Sequence, residues 1–328
     1  MTTNFNYRNI CQKLLQGLPQ RTKEVISGRF GLAGKERETL EAIGKNYGIT
    51  RERIRQIEED GLLKMKAKMV GFQDIIDYFS NQLKATGGLR REDSLLNSLG
   101  DERFKNHVFL LLTLAGSFIR FAESKDFYSF WALDQESVQL AQKVVNYFKD
   151  ELNKAKQPVT VENYKIPFTN VSSPAVVSYL EASRTIQRGV DGLFGLKDWP
   201  EINPRGVKDK AYLALKKANT PLHFSEVAKR IGKDALPQTV HNELIKDSRF
   251  VLVGRGLYAL RSWGYEPGMV KDVIARVLKG SKQPLTKEEV INAVLKQRFV
   301  KENTIALNLS DKRYFLRTPE GRYTIREI

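Results

Sequence analysis

The polar side chains best placed to do chemistry lie in the stretch TRERIRQIEE, from Thr50 to Glu59. If Ile54 and Ile57 turn inward at helical spacing, then Arg51, Glu52, Arg55, Gln56 and Glu59 share the opposite arc. A guanidinium can fork onto the O6/N7 edge of guanine. A carboxamide can pair with the N6/N7 edge of adenine, and a carboxylate can accept from the amino group of cytosine. These side-chain types, at the start of a helix, suit the reading of base edges in a major groove. A helical hairpin with a solvated charged face is the plain alternative for the same residues.

No other constellation offers a reaction. His107, His223 and His241 are far apart and lack Cys or carboxylate at ligand spacing, so no zinc site is expected. The run GRGLYAL (Gly254–Leu260) lacks the GK[ST] ending of a phosphate-cradling loop, and no Gly-x-Ser-x-Gly occurs. Cys11 has no paired base, and Glu288 and Glu289 belong to a capping box begun by Thr286. The expectation is therefore no active site, no cofactor and no small-molecule substrate.

The elements that must position the arc are legible around it. In TLEAIGKNYGITRERIRQIEEDGLLKM, Leu40, Ile43, Tyr47, Ile49, Ile54 and Ile57 have the apolar spacing of two helices crossing over a shared core. Gly44 falls at the crossing, Gly48 suits a turn with positive φ, and Thr50 suits the N-cap of the second helix. That helix is expected to run on through LLKMKAKM, with Lys64, Lys66 and Lys68 near its C-terminal dipole, before Gly71. Two further helices, Asn4–Gln16 and Pro19–Phe30, precede it, with Phe5, Ile10, Leu14 and Leu18 expected on Val25 and Phe30.

Charge is unevenly spread over the 328 residues. The net charge is +16, with residues 1–68 at +6, 69–202 at −2 and 203–328 at +12. Two basic ends around a near-neutral middle favour a polyanionic partner at the ends. A lone cysteine rules out an internal disulfide and suits a reducing compartment. The longest apolar run, Val108–Gly116, is too short to cross a membrane, and the N-terminal residues lack a secretory plan. A cytoplasmic location with no membrane partner is expected.

GLPQRTKEVISGRFGL (Gly17–Leu32), followed by TLEAIGKNYGITRERIRQIE, resembles region four of the housekeeping sigma factors of bacterial RNA polymerase. The resemblance covers about the first fifth of the chain. It implies a helix-turn-helix that reads the −35 promoter element in double-stranded DNA and docks on the flap of the polymerase β subunit. Carried over residue by residue, it puts Arg51, Glu52, Arg55 and Gln56 at base-reading positions and Arg53 toward the DNA backbone. Thr50 and Lys64 are expected as further backbone contacts. A complete sigma factor carries another domain ahead of region four, where aromatic residues open the −10 element. Region four stands at the start of this sequence, so the expectation is a factor that does not open promoters alone in the usual manner.

The rest of the chain repeats. KQPVTVEN, NTPLHFSEV and KQPLTKEEV place Pro158, Pro221 and Pro284 at a constant spacing. Each proline follows an amphipathic helix (Val138–Ala155, Val207–Ala218, Met269–Gly280). Each unit closes with two alternating strands around glycine-bearing turns at Gly189 and Gly192, Gly254 and Gly256, and Gly321. A weaker first copy fits Phe72–Leu133. The fold class expected is mainly α with small β-hairpins (α+β): a helix-turn-helix domain (1–70), then about four winged-helix units (71–135, 136–202, 203–264 and 265–328).

The unit at 203–264 resembles the HARE-type winged helix, known from the polymerase delta subunit, some restriction enzymes and chromatin proteins; 265–328 resembles it less closely. Gln238, Thr239, His241, Asn242 and Lys246 are expected outward on one third helix, and Lys301, Asn303 and Asn308 on the other. Arg249, Arg255, Arg313, Arg317 and Arg322 are expected along the hairpins as DNA backbone contacts, with Arg261 and Arg326 nearby. The near-neutral middle, with Phe127, Tyr128, Phe130 and Trp131, fits a spacer or protein-docking role better. Three functions follow: a DNA-reading transcription factor, a polymerase-docking regulator, or the recognition subunit of a restriction system.

Overall fold

The computed structural model describes residues 5–32, 34, 36–161, 167–168, 171–233, 235–281 and 283–326. Asn4, where the first helix was expected to begin, lies outside them, as do Glu162 and Asn163 of the Pro158 repeat. The protein is mainly helical with small antiparallel sheets, an α+β fold. It divides into two compact units, Met1–Asp198 and Trp199–Ile328. Among the described residues no helix is long and apolar enough to cross a membrane.

The first unit opens with α1 (Tyr7–Leu15), capped where Asn6 accepts from the Asn9 N–H at 3.0 Å. Then come α2 (Gln20–Phe30), α3 (Leu40–Tyr47) and α4 (Arg51–Lys68). Helix α2 is two-faced. Val25 joins Ile43 and Ile54 under α3 and α4, whereas Ile26 and Phe30 turn toward α1. Val25 thus departs from the packing on α1 expected for it, because adjacent helical residues point about 100° apart.

A 3-10 turn (Met69–Phe72) leads to α5 (Gln73–Lys84), β1 (Leu89–Arg91), α6 (Glu92–Ala115), β2 (Ile119–Phe121) and β3 (Phe130–Ala132). Helix α6 breaks at Asp101, which has φ 48°. The sheet order is β1-β3-β2. One continuous apolar cluster joins Tyr7, Cys11, Leu14, Phe30 and Met65 to Phe79, Leu95, Leu111 and Trp131. The head therefore shares its core with the elements that follow it. Burial in this cluster pushes the Cys11 thiol up to about 12, so it stays protonated and inert.

The unit ends with α7 (Gln135–Ala155), α8 (Ser173–Ala182), β4 (Ile186–Arg188) and β5 (Phe194–Leu196). The second unit runs α9 (Gly206–Ala218), β6 (Leu222–His223), α10 (Phe224–Ile231), α11 (Pro237–Lys246), β7 (Phe250–Gly254) and β8 (Leu257–Leu260). It finishes with α12 (Val270–Gly280), α13 (Lys287–Leu295), α14 (Glu302–Leu309), β9 (Phe315–Arg317) and β10 (Tyr323–Ile325).

One element was not legible in the sequence: a short strand between the first and second helices of a copy. It is β1 in the first copy and β6 in the third, and both sheets have the same order, β1-β3-β2 and β6-β8-β7. In the other two copies it shrinks to single bridges, Val159 to Phe194 and Leu285 to Tyr323. Val159, Leu222 and Leu285 each follow one of the repeated prolines directly. A proline can stand before a strand because the missing N–H falls outside the ladder.

Candidate nucleic-acid interface

The arc at the start of α4 is positioned by three devices. A Cβ on Gly44 would stand 2.8 Å from the Ile49 carbonyl oxygen, so only glycine lets α3 and the turn approach this closely. Gly48 closes α3 at φ 64°, in the left-handed region. The Thr50 hydroxyl accepts from the Arg53 N–H at 3.2 Å and fixes the first turn of α4. Beneath them Val25, Ile43 and Ile54 are buried, with Leu40, Tyr47, Ile49 and Ile57 packed around. Tyr47 donates to Glu24 at 2.6 Å, and Arg29 bonds Glu58 at 3.3 Å, tying α2 to α3 and to α4.

Gly61, in the middle of α4, gave no signal in the sequence beyond being a poor helix former there. A Cβ at this position would come within 2.6 Å of both Ile26 and Thr22. The glycine is the crossing point that seats α4 on α2.

Arg51, Glu52, Arg53 and Gln56 are exposed, and Arg55 is half-buried. The side chains are tied to one another rather than to the rest of the chain. Arg55 donates to Glu52 at 3.0 and 3.1 Å and also reaches Glu59, while Arg53 donates to Gln56 at 2.9 Å. The bonds from Arg55 hold the Glu52 carboxyl below the usual range. All these pairs are local and exposed, so base edges can replace them at small cost. Arg51 has no ion-pair partner among the described residues. Lys64 pairs with Asp60 at 2.6 Å, whereas Lys68 folds back onto the carbonyls of Leu14 and Gln16 at the end of α1.

The hairpin arginines differ among themselves. Arg255 is exposed at the β7–β8 turn, and Arg317 is exposed beside the Tyr323 ring. Arg313 pairs with Asp311 at 2.7 Å, which pulls the Asp311 carboxyl down to about 2. Arg322 reaches the Pro284 carbonyl at 3.2 Å and Glu289 at 3.8 Å. Arg249 departs from the expected role. It bridges Asp209 at 2.8 Å and Asp247 at 2.7 Å and lies against Tyr212, so it cross-links α9 to the strand entrance instead of standing free.

The helices that lead into the hairpins also separate into two kinds. In the first copy, the part of α6 after Asp101 buries His107, Val108, Leu111 and Leu114 beneath the head. In the second, α8 packs on β1, with Ser178 donating to the Leu89 carbonyl at 2.7 Å and Tyr179 to that of Gly87. Neither offers a free face to a groove. In the second unit, α11 leaves Gln238, Thr239, Asn242 and Lys246 exposed, and Lys301 and Asn303 are exposed at the start of α14. His241, expected outward, instead stacks on Phe224 at 4.5 Å, and Asn308 bonds back to the Thr304 carbonyl. Phe130 and Trp131 are buried, with Phe127 and Tyr128 only partly exposed.

The sequence matches the family profile Sigma-70, region 4, over residues 14–67. It is 43% identical over 63 residues to RNA polymerase sigma factor RpoS of Coxiella burnetii, covering 19% of this chain and 18% of that protein. It is 46% identical over 61 residues to RNA polymerase principal sigma factor HrdD of Streptomyces viridifaciens, 18% of each chain. The matched segment thus spans under a fifth of either relative. It coincides with the helices that build and hold the α3–α4 turn: residues 14–67 are a region 4 domain of the sigma-70 family, a helix-turn-helix whose second helix begins at Arg51.

Proposed function

We propose that the protein is a non-enzymatic, DNA-binding transcription factor, in which the α3–α4 helix-turn-helix reads a −35-like element. The observation that carries this reading is the open first turn of α4. Within a region 4 domain, Arg51, Glu52, Arg55 and Gln56 project from a capped helix end, where Arg55 bonds Glu52 and Glu59 and Gln56 accepts from Arg53. Arg53 and the Thr50 cap face the DNA backbone, with Lys64 further along the same helix.

The order helix, strand, helix, helix and hairpin, complete in the third copy and matched in the first where α6 breaks at Asp101, supports an array of winged-helix units following the head, with limits near 71–135, 136–202, 203–264 and 265–328. The exposed third helices and wing arginines Arg255, Arg313, Arg317 and Arg322 of the basic second unit supply backbone contacts. The first two copies, with buried third helices, act as a spacer. Sigma-factor relatives support bacterial RNA polymerase, at its β-subunit flap, as a second partner.

The test compares affinity for duplexes carrying a −35-like hexamer with scrambled ones at fixed salt. Gln56→Ala or Arg55→Ala should cut discrimination about ten- to a hundredfold, whereas Arg317→Ala should weaken both duplexes alike and lower the salt dependence. Equal affinity of the wild-type chain for both duplexes would refute sequence reading.

A further inference from the structure

A cavity of about 510 Å³ opens between α2 and α4 of the head and α6, β2 and β3 behind them. Its floor is aromatic: Phe30 and Phe109 stand 6.0 Å apart, Phe109 meets Trp131 edge-on at 5.8 Å, and Phe118 completes it. Three guanidiniums from three different elements converge on it, Arg29 from α2, Arg37 from the loop before α3, and Arg120 from β2.

Two of them already have carboxylates. Arg29 bonds Glu58, and Arg120 bonds Glu92 at 3.0 Å, an acid that also accepts from the Trp131 indole at 3.0 Å. Arg37 does not. Its guanidinium carbon lies over the Phe109 ring at 3.7 Å, and its Nε donates to Asn106 at 3.0 Å. Burial, with repulsion from Arg120 and Arg29 and partial relief from Glu92, holds Arg37 below the ordinary guanidinium range. A partly desolvated cation pressed among cations is short of one negative charge.

We propose that this cavity binds a small planar organic anion, whose ring lies on the aromatic floor and whose acidic group meets Arg37. Its volume falls in the range of cofactor-sized sites, and an aromatic floor with few convergent charged groups is the usual make-up of such a site. An aromatic carboxylate and a nucleoside monophosphate share this chemistry. Glu58 and Leu62 of α4 line the cavity within two turns of Gln56, so an occupant bridges the head to the first copy. That the occupant alters DNA reading rests on the function proposed above; the binding itself does not.

The chain has three tryptophans, and replacing Trp199 and Trp263 by Phe leaves Trp131 in the cavity as the only indole. Full-length protein of this kind is titrated with benzoate, AMP, adenosine and inorganic phosphate up to about 1 mM, a range that captures weak effectors. A saturable change in Trp131 emission with benzoate or AMP, but with neither adenosine nor phosphate, is expected. Which of the two acts identifies an aromatic acid or a nucleotide. Arg37→Gln should weaken it at least about tenfold, as loss of a charged anchor does. Thr113→Phe, on the cavity wall, should block it even if Arg37→Gln folds poorly. Absence of saturable binding, an equal response to phosphate alone, or full affinity in the Thr113→Phe protein would overturn the proposal. Loss of DNA reading with intact binding would refute the proposed function and leave the site standing.

Discussion

Replacing Gly44 by Ala should destabilise the protein, although alanine is the better helix former by about 1 kcal/mol. The new Cβ would stand 2.8 Å from the Ile49 carbonyl oxygen, 3.5 Å from the Arg51 nitrogen and 3.6 Å from the Thr50 carbonyl carbon. Carbon and oxygen meet comfortably only beyond about 3.3 Å, so the turn must retreat by about half an ångström. The obstacle is backbone, and no rotamer can move it aside. It is pinned by the Ile49 N–H bonded to the Gly44 carbonyl at 3.0 Å and by the Thr50 cap. Forced overpacking costs about 1–3 kcal/mol, and a fixed obstacle puts this case toward the upper end. After the propensity gain the net loss is about 1–2 kcal/mol. Urea unfolding followed by circular dichroism measures it as a lowered midpoint at unchanged slope. Lys45→Ala, exposed on the same helix, is the control and should stay within about 0.5 kcal/mol of wild type. A Gly44→Ala protein more stable than wild type would show that propensity outweighs the close approach, and the account of how α4 is aimed would fail.

Two further predictions concern the second unit. Arg298 is buried and donates to the carbonyls of Gln297, Glu266 and Gly268, while Phe299 pairs with Val253 of β7 at 2.7 Å. Arg298→Met leaves those carbonyls without their donor and should cost about 3 kcal/mol, read as a lowered unfolding midpoint of the full chain; an unchanged midpoint would show that water replaces the guanidinium freely. Arg249 holds the Asp247 carboxyl below its usual range, chiefly by direct hydrogen bonding. A depressed carboxylate contributes stability that is fully present above the unfolded value of about 3.9 and is lost as the pH falls through the lower folded value. Asp247→Asn should therefore lower stability at neutral pH and flatten the acid limb of the stability curve, and an acid limb parallel to wild type would discount the pair.

Much of the head was legible in the sequence because its determinants are local. The spacing of Leu40, Ile43, Ile54 and Ile57, the turn at Gly48 and the cap at Thr50 all act within a few residues, and the structure shows each in place. The arc of Arg51, Glu52, Arg55 and Gln56 follows from the same periodicity, and the structure adds that Arg55 bonds Glu52 and Glu59 while Gln56 accepts from Arg53. The prolines at 158, 221 and 284 marked the repeat, but not the strand pairing that begins just after each, a two-residue strand at Leu222 and single bridges at Val159 and Leu285. Two or three residues carry too little alternation to be told from a loop.

What the sequence by itself determined, then, was the series of local elements and the chemistry at the start of α4. Tertiary structure alone decided which faces stay open. Arg249 and Arg317 look alike in the sequence, yet one is held between Asp209 and Asp247 and the other is exposed. α8 and α11 occupy the same place in their copies, yet one is covered by β1 and the other keeps a polar face. The cavity at Arg37 is built from residues up to about a hundred positions apart. Periodicity reports which side of a helix turns from its nearest core, but only long-range packing determines whether that side meets solvent or another part of the chain.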